Sequence, residues 1–158
     1  MTQFKCMALA MLPVALSMTT AFGEPPAKPP AEPAKVDVAL DPPSVTAGEA
    51  AMLRVQLNPM AGIKINRYPK ITLRVPVHEG LIEPAEGKYG NDAPPPPGQT
   101  GKNYFKTLEP FELKLSTDRS APSGRHRIEG ELSYFYCVTA SGFCSRATAP
   151  ISVRLDVN

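Results

Sequence analysis

Apolar and polar residues alternate in six segments of this chain, and this period of two constrains the fold more than any other feature. Alternate side chains of a β-strand point to opposite faces, so each segment predicts a strand with one apolar face. No segment has the spacing of a long amphipathic helix. The predicted strands span residues 36–40, 51–57, 71–77, 111–115, 128–136 and 151–157, and one or two further short strands are candidates at 63–65 and 104–106.

Turn-forming clusters separate these segments. They consist of Pro, Gly, Asp, Ser and similar residues at 41–43, 47–49, 78–80 and 123–124, which are the residue types that turns require. The 19 Pro and 11 Gly of the chain also disfavour a helical protein. Short strands with turns between them are typical of a sandwich. The sequence therefore predicts an all-β domain over residues 36–158, an immunoglobulin-like antiparallel β-sandwich of about seven or eight strands.

The N-terminal residues have the pattern of a secretory signal peptide. Lys5 precedes an apolar run at residues 6–16, and small residues stand at the two positions of segment 21–23 that a signal peptidase reads. We expect residues 1–23 to be removed, so that the mature protein begins at Glu24.

Two alternatives to a cleaved signal are less compatible with this segment. A membrane anchor needs roughly 20 apolar residues, and Pro13 interrupts the run. A lipid anchor requires a cysteine directly after the apolar run, whereas Cys6 precedes it. We therefore expect a soluble protein of the periplasm, or one otherwise exported, without stable membrane insertion after signal cleavage.

Two stretches are Pro-rich and show no strand pattern. Residues 24–35 contain no large aliphatic side chain and predict a flexible arm. Residues 83–101 carry a single aromatic residue, Tyr89, in a stretch that is long for a sandwich loop. This second stretch is either a surface insertion or a lid over a functional site.

Charge and histidine content point away from several classes of function. The net charge of +2 gives no electrostatic reason to expect a nucleic-acid partner. His78 and His126 have no Cys or Asp nearby at ligand spacing, so we expect no metal site. No sequence motif indicates a bound cofactor.

Two of the three cysteines remain after signal cleavage, and we expect Cys137 and Cys144 to pair in an oxidising compartment. Cys137 follows Tyr134 and Tyr136 on one predicted strand and therefore points away from the core face. The bridge would close a short hairpin at the exposed end of a sheet. A bridge accessible there is either a redox-active pair or a structural staple, and the spacing alone leaves both readings open.

The cysteine hairpin also resembles a known family. The segments 134–137 (Tyr-Phe-Tyr-Cys) and 142–144 (Gly-Phe-Cys), with the flanking strands, are similar to the N-terminal periplasmic domain of the thiol-disulfide interchange protein DsbD. Residues 62–69 resemble the segment after the second strand of that family. The chain departs from the family in having six residues between the cysteines, where five are usual, and Ser-Arg-Ala at 145–147 in place of a Tyr-Pro-Pro sequence. The transmembrane and thioredoxin domains of DsbD are not in this sequence, so we expect action in trans.

This resemblance implies a redox carrier, a possible component of a protein-disulfide reductase. Electrons would come from a thioredoxin-like or membrane donor and pass to an oxidised exported protein. By position, Cys144 matches the partner-facing cysteine of the family and Cys137 the resolving one. The family shields its pair with an aromatic cap residue, for which Tyr89 is the candidate and Tyr104 and Phe105 are the fallback, although a core role suits the last two better. The alternative is a non-catalytic immunoglobulin-like binding or assembly module with a structural disulfide.

Overall fold

A computed structural model describes residues 30–158. The predicted signal peptide and residues 24–29 of the predicted arm lie outside this range. The described part contains nine strands and one short 3-10 helix: β1 Ala34–Asp41, β2 Ser44–Val45, β3 Ala50–Pro59, β4 Ile63–Ile65, β5 Ile71–Val75, β6 Ala85–Tyr89, the 3-10 helix Thr100–Asn103, β7 Phe111–Ser116, β8 Gly124–Val138 and β9 Cys144–Val157. The first strand thus begins at Ala34, two residues before the first predicted strand, and pairs with β3 from that residue onward.

The strands form two sheets that pack as a sandwich. One sheet has the order β1-β3-β7, and the other has the order β2-β9-β8-β5-β6, with β4 pairing β8 as well. Every pair of strands is antiparallel except β2 with β9. The predicted all-β, immunoglobulin-like sandwich is confirmed. Two of its strands, β2 and β6, have no counterpart in the predicted pattern.

The core lies between the two sheets and is filled by the inward-facing half of each alternating segment. Leu53, Val55 and Leu57 of β3 are completely buried, as are Leu73 of β5 and Leu132 of β8. Burial of one such side chain contributes about 2 kcal/mol of hydrophobic stabilisation. The period of two therefore specifies which face of each strand supports the fold.

Two of the predicted strand segments are shorter than expected. The segment 71–77 ends as a strand before Pro76, because proline has no N–H to donate to the ladder, and Val77 beyond it is 57% exposed. The strand expected at 104–106 is reduced to a single antiparallel bridge between Tyr104 and Asn66. The short strand expected at 63–65 is confirmed as β4.

The stretch 83–101 is not one long loop, because β6 lies within it. The interpretation of the whole stretch as a surface insertion or lid is therefore wrong for its first part. Ala85 and Gly87 alternate with charged residues in β6 but are too small to give an apolar pattern. A Cβ at Gly87 would lie 2.5 Å from the hydroxyl oxygen of Tyr89, so the glycine provides the space that the tyrosine ring occupies.

Candidate functional site

Cys137 and Cys144 are joined by a disulfide, as predicted. They lie directly opposite each other at the hairpin end of the β8–β9 ladder, with their Cα atoms 4.0 Å apart. Tyr136 is buried in the core, whereas Cys137 points to the outer face of the sheet. The bridge therefore joins two adjacent strands of one sheet and does not connect the two sheets of the sandwich.

The two cysteines differ sharply in exposure. Cys137 is 5% exposed, whereas Cys144 is exposed. The topology explains this difference, because β8 has β9 on one side of Cys137 and β4 on the other. At Cys144, the described strands give β9 a neighbour on the β8 side alone, since β2 pairs with the distant end of β9 at residues 156–157. The sequence placed the whole bridge at an exposed sheet end, and only the Cys144 half is there.

Two polar residues of the β4 segment stand beside the buried cysteine. Lys64 is directly opposite Cys137 in the β4–β8 ladder. Asn66, which is 8% exposed, places its side-chain oxygen Oδ1 3.4 Å from Cys137 Sγ. The backbone N–H of Asn66 donates to the carbonyl of Phe135 at 2.9 Å, which fixes this residue against β8. If the bridge were reduced, the Cys137 thiol could donate a hydrogen bond to this amide oxygen.

Tyr104 extends the same face by one more segment. It forms the antiparallel bridge with Asn66, and its ring centroid is 5.2 Å from the ammonium nitrogen of Lys64. Of the three predicted cap residues, Tyr104 is therefore the one that the fold brings to the neighbourhood of the disulfide. A cross-strand row runs from Cys144 through Cys137 and Lys64 to Tyr104.

Phe105 follows Tyr104 and takes a different role. Its backbone N–H donates to the carbonyl of Ile65 at 3.0 Å, and its side chain is half-buried against the core. The guanidinium carbon of Arg67 lies 5.5 Å from the Phe105 ring centroid. This placement agrees with the packing role that the sequence favoured for this residue.

Tyr89, the first candidate for the cap, lies on the wrong face of the sheet. Its ring packs against Phe111 of the opposite sheet at a centroid distance of 4.7 Å, and its hydroxyl donates to the carbonyl of Glu112. Burial, together with the charge of Glu112, raises the pKa of Tyr89 above its ordinary value. The disulfide is on the outer face, so Tyr89 cannot cover it, and that prediction is corrected.

Two buried tyrosines lie on the core face of the strand that carries Cys137. Tyr134 is 2% exposed and Tyr136 is 4% exposed. Burial raises the pKa of Tyr134, with smaller contributions from Tyr136 and Glu32. The Tyr136 ring lies 6.5 Å from the ring of Phe143, which belongs to the hairpin loop before Cys144. Tyr134 and Tyr136 thus anchor the cysteine hairpin to the core, whereas Phe143 is 40% exposed.

Sequence reasoning missed the two polar neighbours of the bridge. The signal that could have found them is the alternation with Ile63 and Ile65, which puts Lys64 and Asn66 on the outer face of a strand. It could not place them beside Cys137, because the pairing of β4 with β8 joins segments about 70 residues apart in the chain.

Comparisons with protein-family models, curated proteins and solved structures give no match to this chain. Within residues 30–158 there is no helix with the length and apolar content needed to cross a membrane. The same residues contain no group of three or more His, Cys, Asp or Glu side chains that could hold a metal ion. The disulfide and its neighbours are the candidate functional site on the geometry described above.

Proposed function

We propose that this protein is a periplasmic thiol-disulfide exchange module, of the kind represented by the N-terminal domain of DsbD, which relays electrons through Cys137 and Cys144. The observation that carries the proposal is the unequal exposure of the two cysteines. A partner thiolate can approach exposed Cys144, whereas buried Cys137 is reached only from within the domain. One accessible and one protected sulfur is the division of roles that directional exchange needs.

Reduction of the bridge begins with a thiolate of a dithiol donor. It attacks Cys144 Sγ, the Cys137–Cys144 bond breaks, and Cys137 leaves as a thiolate that takes up a proton from solvent. The second thiol of the donor loses its proton and attacks the donor sulfur in the mixed disulfide, which releases the Cys144 thiolate. The donor is now an intramolecular disulfide, and the pair in this protein has gained two electrons.

Transfer to a client repeats these steps in the other direction. The Cys144 thiolate attacks a client disulfide and forms a mixed disulfide, while one client sulfur leaves and is protonated. Cys137, next to Cys144 in the ladder, then loses its proton and attacks Cys144 Sγ as a thiolate, and the second client sulfur leaves and is protonated. The bridge is restored and the client has gained two electrons.

The position of the bridge supports a module that folds in both redox states. The β8–β9 ladder has 14 residue pairs, of which the cysteines are one. The sulfurs lie on the outer face, so the core between the sheets does not depend on them. A carrier needs this independence, whereas a structural staple would be expected where the remaining contacts are too few to hold the chain.

The test compares two single-cysteine variants, Cys137→Ser and Cys144→Ser, both made with Cys6→Ser so that one thiol is counted. Each is mixed with oxidised glutathione, and the rate of mixed-disulfide formation is followed by mass spectrometry. We expect Cys144 in the first variant to react at least about tenfold faster than Cys137 in the second, because thiol access controls the rate. A protein with Cys6→Ser alone should be reduced by a dithiol donor, reduced thioredoxin, and reoxidised by a disulfide-containing protein.

Two results would contradict the proposal. Equal rates for the two variants would mean that the exposure difference does not direct exchange. A bridge that reduced thioredoxin leaves intact would be a structural staple, and the protein would then be the non-catalytic binding or assembly module.

A further inference from the structure

A surface groove lies beside the row of residues that contains the disulfide. It has a volume of about 640 Å³, and its lining includes Arg67, Asn91, Lys102, Tyr104, Phe105 and Lys106. This volume is within the range of sites that bind ligands or peptide side chains. Tyr104 belongs both to this lining and to the row that leads to Cys137 and Cys144.

The groove is positively charged. Arg67, Lys102 and Lys106 are all exposed, and no Asp or Glu of residues 30–158 lines the groove with them. Among the ion pairs of residues 30–158, none involves these three cations. The aromatic rings of Tyr104 and Phe105 give the same groove an apolar surface. The combination suits a segment that carries carboxylates next to an apolar side chain.

Backbone contacts fix the shape of the groove. The carbonyl of Arg67 accepts a hydrogen bond from the N–H of Asn91 at 2.7 Å, and the N–H of Arg67 donates to the carbonyl of Asn103. Gly90 has a positive φ of 126°, and a Cβ there would collide with the Arg67 carbonyl oxygen. Glycine therefore permits the close approach that joins three separate segments around the site. A site held in this way loses little entropy when it binds a ligand.

The groove is within reach of Cys144 for a bound chain. Tyr104, Lys64, Cys137 and Cys144 lie on four neighbouring segments of the row. Neighbouring strands are about 4.8 Å apart, and Tyr104 pairs with Asn66, two residues along the chain from Lys64, so Tyr104 lies about 16 Å from Cys144. About five extended residues cover a similar distance. A segment held in the groove would therefore place its flanking residues near the exposed sulfur.

We propose that this groove binds an acidic segment of a partner protein, with carboxylates on Arg67, Lys102 and Lys106 and an apolar side chain on the two aromatic rings. The link to electron transfer rests on the proposed function, because the partner would be the donor or the client. Binding of the segment itself does not require the disulfide to react. A nucleic acid fits less well, because three cations on a chain of net charge +2 make a small field for a polyanion.

The test uses the full chain and a fluorescein-labelled peptide of eight residues with four glutamates and a central leucine. A peptide with glutamine in place of glutamate and a single-stranded oligonucleotide of equal charge are the comparison probes. Fluorescence anisotropy at low and moderate salt gives the three affinities. We expect the acidic peptide to bind most tightly and to weaken as salt rises.

Matched variants locate the binding site. Lys102→Gln with Lys106→Gln should raise the Kd of the acidic peptide about tenfold. The control, Lys114→Gln with Arg154→Gln, makes the same charge change at exposed positions outside the groove lining and should leave the Kd within about twofold. Arg67→Gln tests the groove from a separate segment if the first pair disturbs folding, which circular dichroism would show.

The peptide-binding and exchange experiments can fail separately, so they test the groove and the proposed function independently. Equal weakening by both pairs, equal affinity for the glutamine peptide, or tighter binding of the oligonucleotide would each overturn the groove proposal. Exchange with oxidised glutathione should be unchanged in the groove variants, because this small disulfide does not need the groove. Failure of exchange with intact peptide binding would overturn the proposed function alone, whereas normal exchange without peptide binding would overturn only the groove.

Discussion

Reduction of the Cys137–Cys144 bridge should lower the free energy of unfolding by about 2.5 kcal/mol and leave the domain folded. The two cysteines are separated by 7 positions, so the bridge closes a ring of eight residues. On the chain-entropy model such a ring restricts the unfolded chain by about 8 cal/mol/K, which gives about 2.5 kcal/mol at 25 °C. Domains commonly have about 5 to 15 kcal/mol of stability, so half of it or more would remain.

The native-state contribution should be small, because the sulfurs pack on the outer face. Cys137 contacts Asn66 there, while the buried leucines and isoleucines lie on the other side of the sheet. The ladder between β8 and β9 continues for 13 residue pairs beyond the cysteines. We therefore expect the melting temperature to fall by about 10 °C on reduction, with the folded far-UV circular dichroism spectrum retained below the transition.

The contribution of the bridge to the free energy of unfolding also determines how far the reduction potential of the folded domain differs from that of the unfolded chain. For a two-electron couple, about 30 mV corresponds to 1.4 kcal/mol. The bridge in the folded domain should therefore have a potential about 50 mV lower than the same bridge in the urea-unfolded chain. The assay equilibrates the protein carrying Cys6→Ser in graded thiol-disulfide buffers with and without urea, and counts free thiols by alkylation. Melting curves with and without reductant give the stability loss independently.

A loss above about 5 kcal/mol, or unfolding on reduction, would refute this reasoning. The corresponding gap between potentials would exceed about 100 mV. A potential of the folded protein below about −300 mV would also place the bridge among structural disulfides, whereas exchange proteins lie at roughly −180 to −270 mV.

Three further changes test individual parts of the structure. Asn66→Asp should slow reduction of the bridge by glutathione about tenfold or more, since a carboxylate next to Cys137 opposes its departure as a thiolate. Gly87→Ala should cost about 2 kcal/mol in urea unfolding, because the added Cβ displaces the Tyr89 ring. Tyr134 has a raised pKa, so its contribution to stability is complete below about pH 10 and is lost as pH rises toward its folded-state pKa. Tyr134→Phe should therefore lose less stability than the unsubstituted protein between pH 8 and about pH 11 in urea unfolding.

Controls are available for the first two substitutions. Asn158→Asp makes the same charge change at the exposed C-terminus and should leave the reduction rate unchanged. The Cβ that Gly101→Ala adds has no atom within 4 Å, so this substitution should leave the unfolding midpoint nearly unchanged. If Asn158→Asp slowed reduction as much as Asn66→Asp, the effect would not come from the contact between residue 66 and Cys137. If Gly101→Ala lowered the unfolding midpoint as much as Gly87→Ala, the effect would not come from the contact with the Tyr89 ring. If Tyr134→Phe lost as much stability at high pH as the unsubstituted protein, ionisation of groups other than Tyr134 would be the cause of the loss.

Alternation predicted those strands whose inward side chains are large and aliphatic. Leu53, Leu113 and Leu155 are examples, and each is buried as expected. The edge strand β6 has no large aliphatic residue on its inward face. The Tyr89 ring fills the space beside Gly87 instead, and the sequence alone does not show that the ring lies there. Val77 was predicted to belong to a strand because valine favours strands, but the ladder ends before Pro76 and Val77 lies outside it.

The candidate site divides in the same way. Local pattern was enough to pair Cys137 with Cys144 and to put Cys137 on the outer face. The burial of Cys137 depends on β4 and on Asn66, which reach β8 only through the tertiary fold. The choice between Tyr89 and Tyr104 also depends on which face of the sheet each one meets. No spacing along the chain carries that information.

In the exchange proposed above, the choice of the attacked sulfur follows from where the hairpin lies in the sheet. Cys137 is in a strand with neighbouring strands on both sides, whereas at Cys144 the described strands give β9 a neighbour on one side alone. With six residues in the hairpin loop, the two cysteines lie directly opposite each other. Under the proposed function, the two departures from the DsbD-type hairpin, a sixth residue between the cysteines and no prolines after the second, should affect the rate and potential of exchange more than the choice of the attacked sulfur. Cys144 would remain the accessible sulfur as long as β4 covers Cys137 and the outer edge of β9 stays open beside Cys144.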